Sequence, residues 1–163
     1  MKMSLKDVQR NDFFSKVQQP TVVYHMTDRK NVPSILHDRR IRVFGDFLCF
    51  FFPDLDSIPI YLDLSNAYEG RVYFGNDGMY HTAPPIIPED TVVFKLEPRY
   101  KEPFAWFKEN TAKEVPLGTE KQIHELFDQC RLCHYGDMKF KNPEILELTD
   151  ILSSHPWQRP SGW

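Results

Sequence analysis

The chain has 163 residues, 41% of them apolar and 26% charged, with a formal net charge of -3 at pH 7. That length suits a single domain (residues 1–163) whose core needs no disulfide or metal staple, and it leaves little room for a two-domain enzyme. The composition argues against general disorder, and the near-balanced charge argues against a globally basic nucleic-acid footprint.

Residues 1–20 mix charged and amide side chains with Val8, Phe13, Phe14 and Val17 and contain no apolar run long enough for a signal peptide or a membrane span. A cytoplasmic, monomeric protein without a membrane partner is the expectation. Ser4-Leu5-Lys6-Asp7 reads as a capping box that opens an amino-terminal helix over Ser4 to Gln18. Thr21 to Met26 is the first expected strand. Asn31 can cap a helix from Val32 to His37, with Pro33 in its first turn, where a missing N–H costs little. Beside that helix Lys30, His37, Arg39, Arg40 and Arg42 offer a local basic patch for nucleic acid, although a solvated helix end has the same composition.

Phe47 to Phe52, bounded by Gly45 and Pro53, is too short for an ordinary helix and aromatic enough for a buried strand. Ile60 to Leu64 is a shorter strand candidate. Arg71 to Gly75 is a clearer one, ended by Asn76-Asp77-Gly78, a sequence suited to a turn at positive φ. Residues 79–90 carry Pro84, Pro85 and Pro88 and read as loop, and Thr91 to Leu96 as a strand stopped by Pro98. Arg99 to Leu117 has no firm period and reads as a flexible loop. A helix from Glu120 to Cys133 follows, with Thr119-Glu120-Lys121-Gln122 as its capping box. Gly136 is a stop, Glu144 to Leu148 alternates like a strand, and residues 152–163 form an irregular tail in which Trp157 either docks on the body or awaits a partner.

Three cysteines without a leader fit a reducing compartment, and no disulfide is expected. Cys130-Arg131-Leu132-Cys133-His134 matches the C-x-x-C-H string of haem attachment, but that chemistry follows export, and helical spacing from Ile123 through Cys133 turns both thiols to the core. A zinc site from His124, Cys130, Cys133 and His134 is disfavoured because no second cysteine pair accompanies it.

The order of elements gives an α+β fold. Tyr24-His25-Met26-Thr27, followed by Asn31-Val32-Pro33-Ser34-Ile35-Leu36, resembles the H-x-T strand and following helix of ADP-ribosyltransferases, nearest to the DarT type that modifies DNA bases. Arg71-Val72-Tyr73-Phe74-Gly75 is similar to the V-Y-F strand of rifampicin-modifying transferases, and Val92 to Pro98 to the Glu-Pro strand that follows it. The resemblance implies a split, twisted sheet flanked by helices, NAD as cosubstrate, and transfer of ADP-ribose to a nucleic-acid base or a protein side chain. It further implies that His25 and Thr27 contact the NAD ribose, that the Met26 backbone holds the nicotinamide amide, and that Tyr73 stacks on the ring. Glu144, in Asn142-Pro143-Glu144-Ile145-Leu146, resembles the Ala-Glu-x-Leu strand start and takes the catalytic role together with His25; Glu147, Glu120 and Glu125 are alternatives. Arg39 or Arg42 pairs with the pyrophosphate. Two features depart from the pattern: Met26 stands where many relatives have glycine, and Phe50-Phe51-Phe52-Pro53 lacks the tyrosine of the DarT-type F-Y-F-A-P strand.

Small size suits a toxin, effector or phage protein. A relative of tRNA 2′-phosphotransferases ranks lower, because position 24 is Tyr where a paired His is expected. The competing class is a non-catalytic binding or inhibitor module: thirteen Phe exceed what one small core readily hides, and Trp106 and Trp157 are its candidate anchors.

Overall fold

A computed structural model describes residues 3–45, 47–75 and 78–163. In chain order the elements are α1 (Leu5–Arg10), β1 (Phe14–Lys16), β2 (Val23–Asp28), α2 (Val32–Asp38), β3 (Arg40–Ile41), β4 (Leu48–Phe51), α3 (Ser57–Leu64), β5 (Arg71–Phe74), β6 (Tyr80–Ala83), β7 (Thr91–Pro98), β8 (Trp106–Glu109), α4 (Thr119–Gln129), β9 (Leu132–Tyr135), β10 (Met138–Glu147) and α5 (Leu148–Ser154). Two four-stranded antiparallel sheets, ordered β1-β8-β9-β4 and β2-β7-β10-β3, carry the fold, and β5 and β6 pair as a separate hairpin. The architecture is mixed α+β.

The sheets meet at one bridge, where Tyr24 N–H donates to Phe52 O at 3.0 Å and Phe52 N–H to Tyr24 O at 2.8 Å. Strand β7 is covered on both faces. Val92, Phe94 and Leu96 join a cluster with Val23, Phe51 and Trp106, onto which Val32 and Ile35 of α2 pack. Val93 joins Phe52, Ile58 and Leu62 under α3, with Leu148 and Ile151 of α5. Burial on both faces explains why Thr91 to Leu96 reads as a nearly unbroken apolar run, with no alternation. Each fully buried Phe or Leu contributes about 1.5–3 kcal/mol.

Several sequence expectations are corrected. The amino-terminal capping box forms, with Ser4 Oγ accepting from Asp7 N–H, but the helix ends at Arg10. Asn11 Oδ1 accepts from Phe13 N–H at 2.9 Å, an Asx turn that redirects the chain into β1. The strand expected over Ile60 to Leu64 is helical. Asp54 Oδ1 accepts from both the Ser57 N–H and Oγ, starting α3 upstream of the window that looked strand-like, and Ile58, Tyr61 and Leu62 bury one helical face.

The proline-marked loop over residues 79–90 contains β6, paired Tyr73↔His81 and Phe74↔Tyr80, because the prolines begin only after Ala83. Asn76 and Asp77 of the expected turn lie outside the described residues. Gly70, entering β5 at φ 76°, cannot take a side chain freely: an added Cβ would lie 3.1 Å from both Ala83 O and Pro85 Cδ.

Within Arg99 to Leu117 lies β8, central in its sheet between β1 and β9. Trp106 is 1% exposed and therefore core, which removes it as a docking anchor; Trp157 is half-buried in a tail strapped to α3 by a His155–Asp56 hydrogen bond and an Arg159–Asp63 ion pair. Helix α4 has Gly118, not Thr119, at its N-cap, and it ends at Gln129. Cys130 closes it and Cys133 sits in β9, so the helical spacing across the two was coincidental, although both thiols are buried. Similarly Asn31 makes no side-chain cap on α2; its amide donates to Thr27 Oγ1 at 3.1 Å. No helix among the described residues is long and apolar enough to cross a membrane.

Burial pushes the thiol pKa values up, to about 11 for Cys130 and well beyond the ordinary thiol range for Cys49 and Cys133. All three thiols should resist a disulfide-exchange reagent in native protein at neutral pH and react together once the chain is denatured; prompt reaction of the native protein would contradict this core.

Candidate functional site

Beyond the Tyr24–Phe52 bridge, β2 and β4 separate. A regular antiparallel ladder would next pair Met26 with Phe50, two residues further along each strand. Instead the Phe50 carbonyl accepts from the His25 side chain, Nδ1 to O 3.1 Å. The imidazole therefore wedges into the point of divergence. Because alternate residues direct their backbone groups to the same side, the N–H and C=O of Met26 face the gap, and among the described residues they make no bond across it to β4.

Over the gap lies a cavity of about 620 Å³, within the usual size range of small-molecule sites. His25 and Met26 of β2, the aromatic run Phe50 to Phe52 at the end of β4, Tyr73 of the hairpin and Phe127 of α4 line it, with Glu109 and Arg131. Tyr73 is held by stacking on His81, with ring centroids 5.5 Å apart and planes at 22°, and by Phe44 at 5.6 Å.

Desolvation lowers the His25 pKa, opposed in part by the Phe50 carbonyl. The neutral ring with its proton on Nδ1 satisfies both effects. Nε2 is then an acceptor, and it has no hydrogen-bond partner among the described residues.

Arg131, between α4 and β9, faces Glu109 at the end of β8. The two form a close ion pair, with side chains only 19% and 16% exposed. The guanidinium lies 4.1 Å over the Phe50 ring and 5.6 Å from the Tyr61 and Phe127 centroids. Desolvation opposes its charge, but Glu109 overrules it and the Arg131 pKa is raised. Its Nε–H, like the Nε1–H of core residue Trp106, is buried without a partner among the described residues, a cost of about 1–3 kcal/mol.

The structure thus brings His25, Met26 and Tyr73 to one cavity and leaves other sequence candidates outside its lining. Thr27 is occupied by Asn31. Arg39, in left-handed conformation at φ 53°, ends α2, and Arg42 pairs with Asp38. Glu144 is exposed on β10 opposite Lys95, just past an irregularity at Asn142 and Pro143. Glu147 pairs with Arg29, and Glu120 is exposed on α4; Glu125 lines a smaller cavity of about 330 Å³.

Among the described residues no group of three or more His, Cys, Asp or Glu could hold a metal. His124 contacts Thr111 Oγ1 at 3.1 Å, and buried His134 has Gly136 O at 2.9 Å and Glu102 at 3.1 Å. Sequence reasoning missed Glu109 and Arg131. The available signal was Ala105-Trp106-Phe107-Lys108-Glu109, three apolar residues followed by a charged pair. No known protein family, curated protein or solved structure matches the chain.

The unfolded chain takes up a proton on His25 before the folded one, so this residue's contribution to stability is full above pH 6.5 and declines as pH falls through that value. NMR titration of the His25 ring should give a midpoint below 6.5; a midpoint at or above it would mean that the ring is solvated and desolvation does not govern it.

Proposed function

We propose that the cavity binds NAD and that the protein is a mono-ADP-ribosyltransferase, with a split sheet of the ADP-ribosyltransferase kind. The observation that carries this reading is the opened edge of β2, where a neutral imidazole acceptor and an unbridged backbone donor and acceptor front one aromatic cavity. A primary carboxamide has one donor face and one acceptor face, which Met26 N–H and C=O complement, as the resemblance to the H-x-T strand implies. His25 Nε2 accepts from a ribose hydroxyl. Tyr73 packs on the nicotinamide ring.

The reaction breaks the bond between ribose C1′ and the nicotinamide nitrogen. Nicotinamide leaves with the electron pair, positive charge develops on the ribose, and the acceptor atom supplies a new pair to C1′ and loses a proton. A fixed carboxylate near the sugar stabilises that charge. Glu109 fits this role better than Glu144, because it lines the same cavity as His25. The acceptor is a nucleic-acid base or a protein side chain.

One observation favours the binding-module alternative: Val72, Phe74, Met79 and Tyr80 of the hairpin region are 59–78% exposed, an apolar surface that suits a macromolecular partner.

Titration of the purified protein with NAD, following heat and free nicotinamide together, tests the assignment. Binding with nicotinamide release is expected, lowered about a hundredfold or more in Glu109→Gln and His25→Ala and largely kept in Glu144→Gln. Loss in Glu144→Gln alone would return the catalytic role to β10. Absence of both binding and release at millimolar NAD would overturn the reading.

A further inference from the structure

We infer that Arg131 is a positioning residue for Glu109, a fixed cation that holds one carboxylate oxygen and leaves the other to the cavity. The inference rests on the reading of that cavity as an NAD site. Arg131 Nη2 donates to Glu109 Oε1, and no described residue donates a hydrogen bond to Oε2. A carboxylate at a strand end rotates freely unless something pins it, and a pin on a single oxygen fixes the direction in which the second one points.

Arg131 itself is held from three sides. Its guanidinium stacks over Phe50 and is flanked by Tyr61 and Phe127, with Nη1 donating to the Tyr61 hydroxyl at 3.4 Å. These rings come from β4, α3 and α4, so the cation registers the carboxylate against three elements at once. A buried pair is a poor device for stability alone, since well-packed apolar residues of similar volume commonly do as well or better. Here the pair stands in the cavity wall, which is where orientation rather than stability is needed.

Removal of Arg131 should therefore cost turnover more than NAD affinity. In steady-state nicotinamide release, Arg131→Ala is expected to lower kcat about a hundredfold with KM changed far less. Millimolar guanidinium, seated among the same rings, should restore much of the loss in Arg131→Ala and none in Glu109→Gln. Arg131→Lys, which keeps the charge but not the flat fork, should fall between them and guards against a variant that fails to fold. Wild-type release with Arg131→Lys at full rate, or with folded Arg131→Ala at full rate or deaf to guanidinium, would overturn the positioning role and leave the NAD reading standing. A wild-type protein that neither binds NAD nor releases nicotinamide would remove both.

Discussion

Everything in the cavity depends on β2 and β4 joining through a single reciprocal pair, Tyr24 and Phe52, and then parting. A sheet edge that opens leaves backbone groups without partners, and unpaired polar groups away from water are costly. The chain meets this cost on one side only. The His25 imidazole takes the Phe50 carbonyl, while the corresponding groups of Met26 stay turned to the gap. An isoleucine or valine at position 25 would leave that carbonyl bare, and a longer bridge would close the cavity. The separation is thus held by a side chain that is structural through Nδ1 and has no hydrogen-bond partner on Nε2 among the described residues.

The unusual phenylalanine content is explained by the same region. Phe51 and Phe52 are core residues, whereas Phe50 is half-buried and forms the floor beneath the Arg131 guanidinium. Aromatic faces are among the few apolar surfaces that can accept a desolvated cation, because the ring quadrupole is negative over the plane. A Leu-rich β4 would pack equally well but could not hold Arg131. The surplus of rings, which in the sequence argues for a docking surface, is thereby divided between a cavity wall and an exposed hairpin.

What the sequence made legible follows from how local each signal is. The His25 strand, α2, the Phe-rich β4, the Tyr73 strand and β7 are marked by neighbouring residues alone, and all appear near their expected bounds. Elements determined by distant pairing were misread. β6 exists because it pairs with β5, and β8 because Phe107 lies against both Lys16 and Cys133. Helix α3 was hidden because the carboxylate that receives its first N–H, Asp54, stands three residues before Ser57, outside the apolar window. The site followed the same rule: His25, Met26 and Tyr73 come from locally marked strands, while Glu109 and Arg131, 22 residues apart, meet only through the β8–β9 pairing.

The distribution of charge supports the same division between surface and site. The basic segment after α2 is partly compensated where it stands, Arg42 by Asp38 and Arg40 by Asp137, which reduces its net field and weakens the grounds for a nucleic-acid acceptor. Those pairs, like Arg29 with Glu147, are substantially open to solvent, where an ion pair contributes little. Among the described residues only Arg131 and Glu109 form an ion pair with both side chains less than a fifth exposed. Desolvating two charges is expensive wherever it occurs. The fold incurs that expense in the wall of the cavity over the opened sheet edge, which joins the sheet's opening to the carboxylate that the proposed glycosyl transfer would use.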